Sequence, residues 1–378
     1  VEWKQENPRR QIAVAGCLMN HVQFPEFKEY FPEVDLWCKI NDTAKIRDLL
    51  DKKVRPSRKK KCTYLCDEKM PRMQLTLPHV SYLKICDGCN NCCSYCAIPS
   101  LRGELRSRSM ESILAEAETL IGNGVKELIV IAQDITAYGH DLKNGESLDK
   151  LLKELEKLPG DFVIRLLYTH PAHYTDEFID TVANSRKILP YLDMPLQHIS
   201  ERILSAMNRH TDGKSIRKLI STLKEKIPAL TLRTTFITGL PGESEAEFAE
   251  LCDFVKEYKF DRLGVFAFAP EPGTPAAEMP DQIPQDVAES RAAKLMEIQS
   301  EIMKKNQLRK LGEKMRVLVD AVEDGIAVAR GGNDAPDIDN MIIFPASRIV
   351  KAGDFADVTA VKSIQNDLLA EKVRANKR

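Results

Sequence analysis

Cys89, Cys93 and Cys96 stand in C-x₃-C-x₂-C spacing within Cys89-Asn90-Asn91-Cys92-Cys93-Ser94-Tyr95-Cys96. Three thiolates on one short loop can reach three corners of an iron–sulfur cubane, which leaves the fourth iron without a protein ligand. A small chelator fills such a corner, and the amino and carboxylate groups of S-adenosylmethionine (SAM) suit it. An electron passed from the cluster would then cleave the sulfonium C–S bond and release a 5′-deoxyadenosyl radical. That chemistry belongs to the cofactor, while the protein fixes its geometry. The competing reading is a structural zinc site, which normally takes four protein ligands in two separated pairs. Cys86, Cys92 or the Cys62-x₃-Cys66 pair would have to complete it, yet nothing downstream resembles a second zinc knuckle. These four are read as bystander thiols, with a ligand role as the alternative, and Cys38 and Cys252 as small apolar fillers.

Ten cysteines in 378 residues, five of them between Cys86 and Cys96, are too crowded for a set of long-loop disulfides. Reduced thiols holding a metal or cluster fit better. The opening Val1-Glu2-Trp3-Lys4-Gln5-Glu6 is polar and lacks an initiator Met, unlike a signal peptide. No apolar run approaches the roughly 20 residues of a bilayer span. A cytoplasmic protein is expected, with no membrane partner. Hydrophobic content of 43% and charged content of 29% are ordinary for a globular chain, and a net charge of −1 supplies no global pull toward nucleic acid.

The elements that must position the thiols repeat regularly from about His79. Strand-like runs occur at Ser81–Ile85, Glu127–Ile131, Phe162–Leu167, Tyr191–Pro195, Thr231–Ile237 and Arg262–Phe268. Helical patterns lie between them, clearest at Met110–Ile121, Leu148–Leu158, Ile216–Lys226 and Glu245–Glu257. Six strand–helix units predict an α/β fold, a parallel sheet curled into a full or partial (βα) barrel. Active sites of such barrels lie at the carboxyl ends of the strands. The cysteine loop follows the first strand directly and so falls at that mouth. Before this core, Gln11–Gly16 and Val34–Cys38 read as strands and Ala44–Leu50 as a helix, and Arg55–Lys61 reads as a solvated linker. After it, a long helix over Gln285–Leu311 leads to four short strands at Met315–Val322, Gly325–Ala329, Met341–Phe344 and Asp357–Val361, a small all-β barrel. Residues 1–74, 75–307 and 308–378 are the expected domains.

By the strand-end rule, Gln133 and Asp134 after the second strand are candidate catalytic residues, placed to hydrogen-bond SAM or the substrate. A helix N-cap fits Asp134 equally well. Gln197 and His198 follow the fourth strand, with Gln197 a candidate SAM contact and His198 either a direct participant or a satisfied structural residue. Arg233 lies within the fifth strand, where a buried charge needs a carboxylate, that of SAM or of a neighbouring Asp. Gly239 opens a Gly-Leu-Pro-Gly turn whose glycines permit close approach to a ligand. Tyr95 is a further cofactor-binding candidate. Arg102, Arg106 and Arg108 either meet an anionic partner or face solvent.

Taken with Tyr82–Cys89 and Ile98–Arg108, the cluster loop resembles the radical-SAM methylthiotransferases. Ala132–Gly139, Asp193–Ser200 and Leu232–Glu243 resemble the RimO branch, which modifies an aspartate β-carbon in small-subunit ribosomal protein S-twelve. The MiaB branch, which modifies an isopentenyl-adenosine of tRNA, typically has an Asn-containing motif after Gln where this chain reads Gln133-Asp134. Asp334–Asp339 is similar to the RimO form of a terminal TRAM barrel. The resemblance covers nearly the whole chain. It implies a [4Fe–4S] cluster on Cys89, Cys93 and Cys96 with bound SAM, and a second [4Fe–4S] cluster in the full-length protein. Ala15-Gly16-Cys17-Leu18 matches the segment carrying the last of three ligands of that second cluster. The other two are expected upstream of Val1, which implies an amino-terminally truncated chain. Ribosomal protein S-twelve is the implied substrate.

Two other functions compete, a tRNA methylthiotransferase and a non-catalytic, metal-stabilised binding module. Between Asp320 and Asp339 the terminal barrel carries Asp320, Glu323, Asp324, Asp334, Asp337 and Asp339 against Arg330 alone. An RNA-binding face should be basic, whereas an acidic one suits a basic ribosomal protein.

Overall fold

Alternation along each strand decides which side chains meet the helices and which face inward. The computed structural model describes residues 2–57, 62–347 and 349–373, so the Arg55–Lys61 linker lies outside the described residues from Arg58 onward. Strands β1 (Ala13–Gly16) and β2 (Leu36–Lys39) pair in parallel and anchor a small amino-terminal piece. The helix expected near Ala44 is a 3₁₀ stretch over Ile40–Lys45 followed by an α-turn at Ile46–Leu50.

The core runs through β3 (Val80–Lys84), the short antiparallel pair β4 (Cys86–Asp87) and β5 (Arg106–Ser107), then β6 (Glu127–Ile131), β7 (Val163–Leu166), β8 (Ile188–Asp193), β9 (Thr231–Thr238) and β10 (Arg262–Ala267). Strands β3, β6, β7, β8, β9 and β10 form one parallel six-stranded sheet in that order. It is a barrel left open between its first and last strands. Five crossover helices connect them: Met110–Gly122, Leu148–Lys157, Asp176–Asn184, Gly213–Lys226 and Glu245–Tyr258. Ser109, Thr175, Asp212 and Ser244 cap four of these by accepting a backbone N–H one turn in, each worth about 1 kcal/mol. Outward-facing Leu83, Leu128, Val130, Leu166, Leu192 and Leu232 pack without exposure against stripes such as Leu151, Leu152 and Leu155. No helix among the described residues is long and apolar enough to cross a membrane.

Helix Gln285–Arg309 leads into β11 (Lys314–Glu323), β12 (Ile326–Gly331), β13 (Ile342–Pro345), β14 (Phe355–Ile364) and β15 (Asp367–Lys372), which close into a barrel. The fifth strand, Asp-Leu-Leu-Ala-Glu-Lys, has no β-branched residue and gave no strand signal of its own. Pairing with β13 and β14 holds it in place.

The small barrel seats in the concave side of the open one. Inward-facing Val80, Ile129 and Tyr191 pack with its Leu318 and Ala335, and Phe355 lies against them. A chain of buried charges follows. Arg165 Nε donates to Glu127 at 2.6 Å, Arg330 donates to Glu127 and to Asp320 at 2.6 Å each, and His79 faces Asp320 at 3.0 Å. Arg262 meets Asp334 at 2.5 Å, and Tyr191 Oη donates to Asp339 at 2.7 Å. The acidic docking face expected from sequence is therefore corrected. Asp320, Asp334 and Asp339 point inward and neutralise arginines, and Glu323, Asp324 and Asp337 remain exposed.

The amino-terminal piece spans the mouth side. Asn20 Nδ2 donates to the Leu101 carbonyl at 2.9 Å, and His21 Nε2 lies 2.7 Å from Glu271. Val22 fills the space over Gly273, where a Cβ would come within 2.9 Å of it.

Candidate active site

The cysteine loop is held at its stem by a position that admits only glycine. Gly88 has φ of +78°, and a Cβ there would lie 2.1 Å from the Glu104 carbonyl oxygen. Cys89 N donates to Gly103 O at 3.1 Å, and Asn90 Oδ1 accepts from Leu105 N at 3.0 Å. Further along, Ser94 N donates to Met207 O, and Asn208 Nδ2 donates to Cys92 O at 2.9 Å. The loop is thus stitched to the hairpin on one side and to residues 207–208 on the other.

Cys89, Cys93 and Cys96 line one cavity of about 180 Å³ at the carboxyl ends of the strands, together with Tyr95, Gln133, Asp134 and Gln197. All ten cysteines are free thiols. Burial pushes the Cys89 thiol up to about 11, and it raises Cys96 as well. A metal binding there must therefore expel protons. The Oε1 atoms of Gln133 and Gln197 are buried without a hydrogen-bond partner among the described residues. Unpaired acceptors are costly unless a ligand supplies donors. Gln197 adopts φ of +71° and Tyr168, also on the cavity wall, φ of +65°. Left-handed backbone in bulky residues is strained and gathers at ligand sites.

Asp134 caps the turn Ile135–Ala137 through Thr136 N at 2.9 Å. Its second oxygen accepts from Asn91 Nδ2 at 2.9 Å and faces His173 Nδ1 at 2.8 Å. Burial works against its charge, but the bonds from His173, Thr136 and Asn91 prevail and hold its carboxyl below the usual range. Both oxygens are engaged, so Asp134 braces the cysteine loop through Asn91.

Other candidates lie elsewhere. Arg233 pairs with Asp193 at 2.7 Å, the local alternative to a SAM carboxylate, and does not line the cavity. Gly239 does not line the cavity, and its missing side chain makes room for Ala288, 2.2 Å from a Cβ built there. His198 is fully buried between Glu243, at 3.1 Å, and Ser200 N. Cys86 is fully buried against the Asp134 carbonyl and Cys92 is exposed, and neither lines the cavity. Cys62 is buried beside Arg106, and Cys66 lines a separate cavity. Arg102 and Arg108 are spent on Asp87 and Glu116, and Arg106 on backbone carbonyls. Cys17 directly follows β1 and precedes the 3₁₀ turn Leu18–Asn20 that reaches the segment after the cysteine loop.

Sequence reasoning missed Tyr168, His170 and Arg209, which also line the cavity. Tyr168 and His170 follow β7 and were within reach of the strand-end rule. Arg209 follows helix Glu201–Ala206 and has no spacing signal.

Comparison with known proteins bears on this geometry. Residues 83–255 match the radical SAM superfamily, and residues 311–373 match the TRAM domain. The chain is 41% identical over 377 residues to the ribosomal protein uS12 methylthiotransferase RimO of Geobacter sulfurreducens, covering 97% of this chain and 83% of that protein. It is 43% identical over 372 residues to the RimO of Pelotomaculum thermopropionicum, covering 96% and 83%. Among solved structures, the cobalamin-dependent SAM radical enzyme OxsB superposes with a TM-score of 0.52 at 14% identity, covering 78% of this chain and 43% of that one. That likeness concerns the fold alone.

Proposed function

Because this chain belongs to the RimO family of radical-SAM methylthiotransferases, we propose that the cavity beneath Cys89, Cys93 and Cys96 is where its reaction is driven. The enzyme transfers a methylthio group to ribosomal protein uS12 by radical-SAM chemistry, with a [4Fe–4S] cluster and SAM as cofactors. The finer reading takes the β-carbon of an aspartate as the site of modification. The observation that carries the radical-SAM reading is one cavity lined by three free thiols and two amide oxygens without a partner among the described residues. That donor set fits a cluster with one open corner and a polar cosubstrate beside it.

When bound, the cluster and SAM supply a carbon-centred radical strong enough to take hydrogen from an unactivated C–H bond. The chain's own residues do the rest. Cys89, Cys93 and Cys96 would give up protons and hold the iron. Gln133 and Gln197 would offer their buried amide oxygens as acceptors to the donor groups of SAM, and Tyr95 walls the cavity. Asp134 keeps the loop in register through Asn91. Cys17 is read as a ligand of a second [4Fe–4S] cluster, supported by the seating of its turn against the segment after the cysteine loop. Residues 1–74, 75–307 and 308–378 are taken as the amino-terminal, radical-SAM and TRAM units.

The test is anaerobic incubation of reconstituted protein with SAM, sulfide, a low-potential reductant and uS12, followed by intact mass. Gain of one methylthio group on a uS12 aspartate is expected. Unmodified uS12 alongside modified tRNA would sink the reading, as would wild-type protein that binds no iron.

A further inference from the structure

Six arginines are nine-tenths buried or more among the described residues, and five of them sit on a carboxylate: Arg108 on Glu116, Arg165 on Glu127, Arg262 on Asp334, Arg291 on Glu243 and Arg330 on Asp320. The sixth is Arg209, 5% exposed, which makes no ion pair with a carboxylate. Its Nη1 donates to Cys93 Sγ at 3.5 Å and its Nη2 to the Pro195 carbonyl at 2.6 Å. Its Nε has no partner. A guanidinium is always charged, and a buried charge without a counter-ion is strongly unfavourable. A neutral thiol does not balance it.

We propose that Arg209 is the counter-cation of the iron–sulfur cluster and sets its reduction potential through Cys93. The inference rests on the reading of Cys89, Cys93 and Cys96 as cluster ligands. With three thiolates, an oxidised [4Fe–4S] centre carries one net negative charge, and the reduced centre carries two. A fixed cation against a ligating sulfur is attracted more strongly to the reduced form. One electron from an external low-potential donor enters, no bond is made or broken, and the added charge is met by a group already in place. Charge and hydrogen bonding at ligand sulfurs are recognised determinants of cluster potential. Arg209 is also firmly built in. Its N–H donates to Leu204 O, and the two residues before it carry the contacts that hold the cysteine loop, Met207 O to Ser94 N and Asn208 Nδ2 to Cys92 O. Through Pro195 it ties the thiolate side of the cavity to the strand exit that carries Gln197.

The test is a redox titration followed by electron paramagnetic resonance on reconstituted protein without SAM, using the signal that Cys93→Ser abolishes. Arg209→Gln should load iron like the wild type. At a fixed potential its reduced-to-oxidised ratio should be at least tenfold lower, about 59 mV for one electron. Arg209→Lys, which keeps the charge, should recover most of that shift. Coincident wild-type and Arg209→Gln potentials at equal iron content would overturn the proposal. If Arg209→Gln holds no iron, Arg209→Lys decides. Loading near the wild-type potential supports a need for the cation, and failure to load overturns the charge argument in favour of the planar hydrogen bond to Pro195. Failure of the underlying cluster reading shows separately, as wild-type protein without iron or as a Cys93→Ser variant that keeps the signal.

Discussion

Cys92 and Cys93 are neighbours in the chain and opposites in environment. Cys93 is buried on the cavity wall, while Cys92 is exposed in a left-handed conformation with φ of +51°. Cys92→Ser should therefore keep its iron and change stability by no more than about 0.5 kcal/mol. Cys93→Ser should lose iron and stop producing 5′-deoxyadenosine, as iron analysis and chromatography would show. Gly88→Ala puts a carbon 2.1 Å from the Glu104 carbonyl oxygen. It should open the loop's stem and lower iron content without touching a thiol. The three thiols were legible in the sequence because their relation is local, one loop and one spacing. Tyr168 and His170 could have been found from their place after β7, but Arg209 could not, because only packing brings a residue that follows a short helix to the same wall. Arg233 took the second of the two partners that the sequence offered, a neighbouring Asp, whereas the packing of Gly239 on Ala288 lies across the fold and no local pattern reveals it.

Elements with strong periodicity read well. Strand β6 and the helices at Met110–Gly122 and Glu245–Tyr258 agree with expectation to within a residue. Helix Asp176–Asn184 was not singled out because it is short, with its apolar contacts spread over Phe178, Ile179 and Val182. Strand β15 was hidden by residues that prefer helix. The helix Glu245–Tyr258 also offers a pH test. Its capping box pairs Ser244 with Glu247, which is also bound by Arg202. Burial opposes the Glu247 charge, but the bonds from Arg202 and Ser244 prevail and lower its carboxyl to about 2. A lowered folded value contributes stability above the ordinary value near 4.5, lost as pH falls from there through about 2. Glu247→Gln should thus melt earlier than the wild type at neutral pH, with about 1 kcal/mol from the cap. The two melting curves should converge on acidification.

At the scale of the whole molecule, buried charge fastens the terminal barrel into the open one. Arg330→Met removes one cation from between Glu127 and Asp320 and should cost about 3–5 kcal/mol. Thermal melting would show this, along with faster proteolysis in the connector before β11. The barrel's acidity was plain in the sequence, but its direction was not. Composition counts charges and cannot tell a docking face from one already neutralised by Arg262 and Arg330. The amino-terminal piece has a consequence of another kind. Leu101 belongs to the first unit of the open barrel, and Glu271 and Gly273 to the last, so the turn from Asn20 to Val22 straddles the slit between them. Sheet hydrogen bonds do not bridge that slit. A turn a few residues long, seated where residue 273 lacks a side chain, spans the two edges, so their separation is adjustable without altering a strand or a thiol.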